Sequence, residues 1–172
     1  MSVLAQRRRS QPAASGAPGS AGRRAAAGFT LLELALTVIV AGVVAALAVN
    51  TYTAYIKRAR NAAAISDIGK IELSVDRYAL NHDGVLPPDL ATVGMDGMRD
   101  PWGNAYVYLS FAGLPGHAGM RKDKNLVPIN TEYDLYSMGP DGRSSAPLTA
   151  QASRDDIVRA NDGGFIGVAS DY

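Results

Sequence analysis

"GFTLLELALTVIVAGVVAALAVN", from Gly28 to Asn50, decides the architecture of this chain. Between Phe29 and Val49 the only charged residue is Glu33. At a rise of ~1.5 Å per residue such a helix reaches about 32 Å, enough to cross the hydrocarbon core of a bilayer. The run therefore reads as a membrane-spanning helix. Glu33 is out of place in it, because an ionised acid inside a membrane costs a few kcal/mol unless something pairs with it. The sequence has to supply it with a partner.

The downstream flank fits a membrane anchor. Tyr52 and Tyr55 fall at interfacial depth, and Lys57, Arg58 and Arg60 follow, an aromatic and cationic collar. Arg23 and Arg24 flank the other end, so local charge leaves the orientation open. Helical periodicity continues past the collar, with Ile65, Ile68, Ile71, Val75 and Tyr78 recurring at three- and four-residue spacing. No proline interrupts Phe29 to Leu86, and the spacing predicts one helix of about 50 residues, far above the ~11-residue mean. Its second half, 51–82, is amphipathic and needs a surface to pack on.

Composition bounds the rest. Residues 1–28 hold Arg7, Arg8, Arg9, Arg23 and Arg24 with no acid, in a background of Ala, Gly, Ser and Pro, and cannot bury a core. Setting those five arginines aside leaves twelve basic against sixteen acidic residues from Phe29 onward. A mildly acidic folded part argues against nucleic acid as the ligand. Without cysteine there is no disulfide, thiolate metal site or thiol nucleophile. The two histidines, His82 and His117, sit near glycines and build no triad. Asp83, Asp89, Asp96 and Asp100 form no defined acid–base pair, and the reading is of a protein that is not an enzyme.

At "NHDGVLPPDL" the texture changes, and Asp83-Gly84 and Pro87-Pro88 end the helix. Over 83–172, Ala105 to Phe111, Asn125 to Ile129 and Glu132 to Met138 read as short strands, the second at an edge because of Pro128. "GLPGHAGMRKDKN" joins the first two. The tail from Gly139 to Tyr172 reads mostly as loop. In "DPWGN", Trp102 is expected to pack where loop meets sheet, with Asp100 and Asn104 fixing turns through backbone hydrogen bonds. The fold class is α+β: a long helix packed by its second half on a small antiparallel sheet.

The residues "GFTLLE", after a basic leader and before the apolar run, resemble the processing motif of type IV pilins and type II secretion pseudopilins. "RDPWGNAYVY" (Arg99 to Tyr108), "YDLYSMGPDG" (Tyr133 to Gly142) and "DDI" (Asp155 to Ile157) resemble, in order and spacing, the major pseudopilins of type II secretion systems. The blocks cover most of the chain from Gly28 to about Ile157. The resemblance implies cleavage by a prepilin peptidase between Gly28 and Phe29 and N-methylation of Phe29. It implies that residues 1–28 are a leader held in the cytoplasm, with 29–50 as span and filament core. Glu33 would be the assembly residue, neutralising the new amine of a neighbouring subunit.

The same resemblance implies calcium in the carboxy-terminal loop. Calcium takes six to eight oxygens, and this loop offers Asp141, Ser144, Ser145, Asp155 and Asp156 in glycine-punctuated backbone. Carried over, the Met138 carbonyl and the Asp141 carboxylate would be ligands, with Asp155 or Asp156 closing the site. The stretch from Asp141 to Asp156 is longer than the family pattern and includes Pro147.

The implied function is that of a subunit of a periplasmic pseudopilus that helps export folded proteins across the outer membrane. Its partners would be copies of itself, minor pseudopilins, the prepilin peptidase, and an inner-membrane platform with a cytoplasmic ATPase. Its location would be the inner membrane, crossed once, with the carboxy-terminal part in the periplasm. Two rivals remain: a type IV pilin for adhesion, motility or DNA uptake, and a periplasmic binding domain behind a signal peptide cut near Ala46 to Ala48.

Overall fold

The structure is a computed structural model that describes residues 28–172, Asn50 by its backbone alone. The arginines of the basic leader lie outside the described residues. The chain divides into two compact units, the second being Val44–Tyr172. One α-helix, α1 (Leu31–Leu80, 50 residues), supplies the described part of the first unit and the spine of the second.

In the first unit the helix begins at a cap. The Thr30 hydroxyl accepts the Glu33 N–H at 3.1 Å, and the Thr30 carbonyl accepts the Leu34 N–H at 3.0 Å. Thr-x-x-Glu has the spacing of a capping box, and satisfying one of the orphan N–H groups fixes where the helix starts. The apolar side chains that follow are exposed, Leu31 at 88% and Ile39 at 63%. This is the one helix, among the described residues, long and apolar enough to span a membrane.

In the second unit α1 carries the expected buried stripe. Ala64, Ile68, Ile71 and Val75 are wholly buried, joined by partly buried Ile65. Each large aliphatic contributes roughly 1.5–3 kcal/mol by leaving water. The helix ends as its sequence dictates: the Gly84 N–H reaches back to the Ala79 carbonyl at 2.9 Å, with Asp83 and Gly84 both at positive φ. His82 stacks on Tyr78, ring centroids 3.8 Å apart, and its Nδ1 lies 2.8 Å from the Tyr78 carbonyl. The imidazole serves the helix end.

The helix packs on a four-stranded antiparallel meander in the order β1 (Val107–Ser110), β2 (Tyr133–Ser137), β3 (Ile157–Ala160), β4 (Phe165–Val168). Leu109 faces Asp134, Tyr136 faces Val158, and Val158 faces Gly167. Period two sorts the side chains. Tyr133, Leu135 and Ile157 meet the helix, together with Tyr106 and Leu90. Val158 and Ala160 point the other way, into a second cluster with Ile129, Leu148 and Ala169.

Two sequence expectations are corrected here. Asn125 to Ile129 is not a strand: Asp123 and Leu126 make one isolated bridge, and Ile129 turns inward to cover the far face of the sheet. Pro128 has no N–H to lend a ladder; the Ile129 N–H goes to the Arg121 carbonyl at 3.1 Å and its carbonyl accepts the Asn161 N–H at 3.0 Å. The tail is not mostly loop, since it supplies β3 and β4. All four β3 residues are buried, because both faces of that strand are covered.

Candidate functional site

Gly28 and Phe29 precede α1 in non-helical backbone. A Cβ added at Gly28 would meet nothing within 4 Å, and Phe29 is 80% exposed. Among the described residues nothing covers either of them. Glu33 lies in the first turn of α1, where the positive end of the helix dipole favours a carboxylate. Among the described residues no cation pairs with it.

In the second unit the two blocks "DPWGN" and "GPDG" are tied into one knot. Asp100, 4% exposed, accepts N–H groups of Trp102 at 3.0 Å and Asn104 at 2.8 Å through Oδ1, and the Ser137 hydroxyl at 2.6 Å through Oδ2. The Asn104 amide donates to the Gly139 carbonyl at 2.9 Å. Trp102 packs against the helix-side core. The turns expected of Asp100 and Asn104 are present, and the same side chains also hold the end of β2.

Beyond the knot stands an arginine that the sequence did not single out. Arg121 is 2% exposed and stacks on the Tyr136 ring at 4.3 Å. Its two terminal nitrogens donate to the Ser144 hydroxyl at 2.5 Å, the Ser145 carbonyl at 2.8 Å and Asp156 Oδ2 at 2.6 Å. The Ser144 hydroxyl also donates to Asp156 Oδ2 at 2.6 Å. The backbone N–H of Arg121 donates to Asp134 at 2.6 Å, and Asn130 donates to the other oxygen of that carboxylate at 2.9 Å. Burial pushes the carboxyls of Asp134 and Asp156 above their ordinary range, against the pull of these donors. Nothing in the local pattern "GMRKDKN" distinguishes Arg121 from its exposed neighbour Lys124.

A second buried arginine bridges helix and sheet. Arg159, 4% exposed, donates to Glu72 at 2.7 Å and lies 4.1 Å over the Tyr133 ring. Its carbonyl accepts from Asn130 at 3.0 Å. Pairing and hydrogen bonding make its burial tolerable.

Of the four expected calcium ligands, Asp155 lies beside Gly139 and is close enough to Asp156 for their charges to interact. Asp156 is fully buried, and the place a cation would take at its Oδ2 is held by the Arg121 guanidinium. Asp141 is exposed and its Oδ1 accepts the Arg143 N–H at 2.8 Å, closing its own turn. It lines a hollow together with Arg143, Gln151 and Ala152. Asp155 packs both its backbone carbonyl and its carboxyl against Gly139, and Met138 is half-buried just after β2. Among the described residues no three His, Cys, Asp or Glu side chains gather in one place. Asp156 Oδ2 is engaged by Arg121 and Ser144, while its Oδ1 is buried with no hydrogen-bond partner among the described residues.

No protein-family model and no solved structure matches the chain. Curated proteins do. The type II secretion system core protein G of Escherichia coli (strain K12) is 33% identical over 135 residues, which cover 67% of this chain and 82% of that protein. The protein of the same name from Dickeya chrysanthemi is 30% identical over 135 residues, 67% of this chain and 78% of its own length. That of Pseudomonas aeruginosa is 30% identical over 141 residues, 70% and 88%. The shared length takes in far more than an apolar helix, and the fold is the expected helix on a small antiparallel sheet; the chain belongs to the family of the type II secretion system core protein G, the major pseudopilins.

Proposed function

We propose that this pseudopilin is inserted in the inner membrane by α1, cut between Gly28 and Phe29 by a prepilin peptidase and methylated on the new amine. It then polymerises into a periplasmic fibre that helps export folded proteins across the outer membrane. The observation that carries this reading is the exposure of the apolar first turns of α1 beside an open Gly28-Phe29 bond. Such a surface needs lipid before assembly and neighbouring helices after it. Copies of the chain, minor pseudopilins, the peptidase and an inner-membrane platform with its ATPase are the partners this requires.

Cutting creates a cation at Phe29. In the low dielectric of a helix bundle the Glu33 carboxylate of the next subunit pairs with it far more strongly than two charges do in water. Removing one partner leaves the other charge unpaired and costs more than the pair nets. Glu33→Ala is expected to be cleaved normally and to abolish fibres when the secretion machinery is overexpressed, as judged by electron microscopy of sheared cells. Normal fibres from that variant would end the pairing mechanism.

A further inference from the structure

The loop between β2 and β3 is held by protein groups alone. What holds it is one side chain from a different part of the chain. The Arg121 guanidinium reaches Ser144, Ser145 and Asp156, at 2.5, 2.8 and 2.6 Å, and so ties the middle of that loop to the residue before β3. Ser153 adds a second tie, its hydroxyl donating to the Ser145 carbonyl at 2.7 Å and accepting the Ser145 N–H at 2.8 Å. These are the contacts a cation would make with a hydroxyl, a carbonyl and a carboxylate.

We infer that in this chain the Arg121 guanidinium, by gathering Ser144, Ser145 and Asp156, closes the carboxy-terminal loop without a metal ion. Three observations support it. The ion pair is dry, with side chains 3% and 0% exposed, so divalent ions in solution do not reach Asp156 without displacing the arginine. The guanidinium is fixed from behind by the Tyr136 ring and by its own backbone N–H on Asp134, which gives it a built seat. The Oδ1 of Asp141, one of the other carboxylates expected as ligands, accepts the Arg143 N–H of its own turn.

A planar guanidinium with several donors suits this set better than a lysine ammonium would, because it addresses three acceptors at once. A consequence follows for the machine. Subunit stability, and with it fibre stability, should be indifferent to periplasmic calcium in the system that uses this protein. The inference concerns the loop alone and stands or falls independently of cleavage at Gly28.

The test uses the full chain in detergent micelles, its unfolding followed by the fluorescence of Trp102. Excess EDTA and excess calcium chloride are expected to give the same melting temperature, and dialysed protein is expected to hold no stoichiometric calcium. Arg121→Met should lower the melting temperature by roughly 10 °C or more, equally in both solutions, because it strands a buried carboxylate. Should that variant fail to fold, Asp156→Asn in the same two solutions replaces it, with a smaller and equally calcium-blind drop expected. A wild-type melting temperature that rises with calcium and falls with EDTA would overturn the inference, as would an Arg121→Met protein that melts like wild type.

Discussion

Thr30 and Glu33 show how one residue serves two levels. The hydroxyl of Thr30 takes the Glu33 N–H at 3.1 Å and sets the first turn of α1, so the one carboxylate of the apolar run is held at a fixed helical position. Within the core, two tyrosines make a sharper contrast. The Tyr108 hydroxyl donates to the Pro87 carbonyl at 2.9 Å, whereas the buried Tyr133 hydroxyl has no hydrogen-bond partner among the described residues. Tyr108→Phe should therefore cost about 0.5–1.5 kcal/mol in urea unfolding, while Tyr133→Phe should be neutral or stabilising, since it removes a polar atom that burial left unsatisfied. Equal losses in the two variants would show that the Tyr133 hydroxyl does find a partner in solution. The sequence marks both residues as strand tyrosines and cannot rank them, because the acceptor of Tyr108 comes from a segment 21 positions away.

Among elements, the turn after β2 has little freedom. Gly139 sits at φ 64°, and a Cβ there would collide with the backbone carbonyl of Asp155. Gly139→Ala should destabilise the protein by about 2 kcal/mol or more, from a left-handed backbone and an overlap that backbone cannot relieve. A wild-type unfolding midpoint for that variant would contradict the packing of Asp155 on Gly139. In the helix, Ile71→Ala should cost about 2–5 kcal/mol, because Ile71 is wholly buried beneath the sheet.

The helix was legible in the sequence, since Ile68, Ile71 and Val75 repeat on one face and the apolar run before them has no other use. β1 and β2 were legible from their tyrosines and valine. β3 was not: "IVRA" is four residues long, buried on both faces and occupied in part by an arginine, so it has no alternation to read. β4, "FIGV", is as short, with a glycine in its interior. Arg121 and Arg159 were invisible for a related reason. A buried arginine is defined by partners distant in sequence, here Asp156 and Glu72, and local composition carries no trace of them.

On the scale of the whole molecule, burial of aromatic hydroxyls makes the folded domain sensitive to alkali. Tyr106, Tyr108 and Tyr133 are all raised above the ordinary phenol value of about 10, first by desolvation, with Tyr108 pushed up to about 12. A group whose folded pKa is raised contributes stability that is fully present below its unfolded pKa and is lost as pH climbs through the folded one. Stability should thus hold to about pH 10 and decline toward about pH 12. Three of the eight tyrosines should ionise only as the domain unfolds, which ultraviolet absorbance against pH will show. Smooth titration of all eight near pH 10 with the fold intact would contradict the packing of the helix on the sheet.

The proposed function requires that cleavage give the chain a new amino terminus. Mass spectrometry of the amino-terminal peptide, from protein matured in cells that carry the secretion machinery, reads this directly. The prediction is a chain that begins at Phe29 with one methyl group on its amine. A mature chain that begins near Val49, or one that retains Gly28 and the residues before it, would contradict the account.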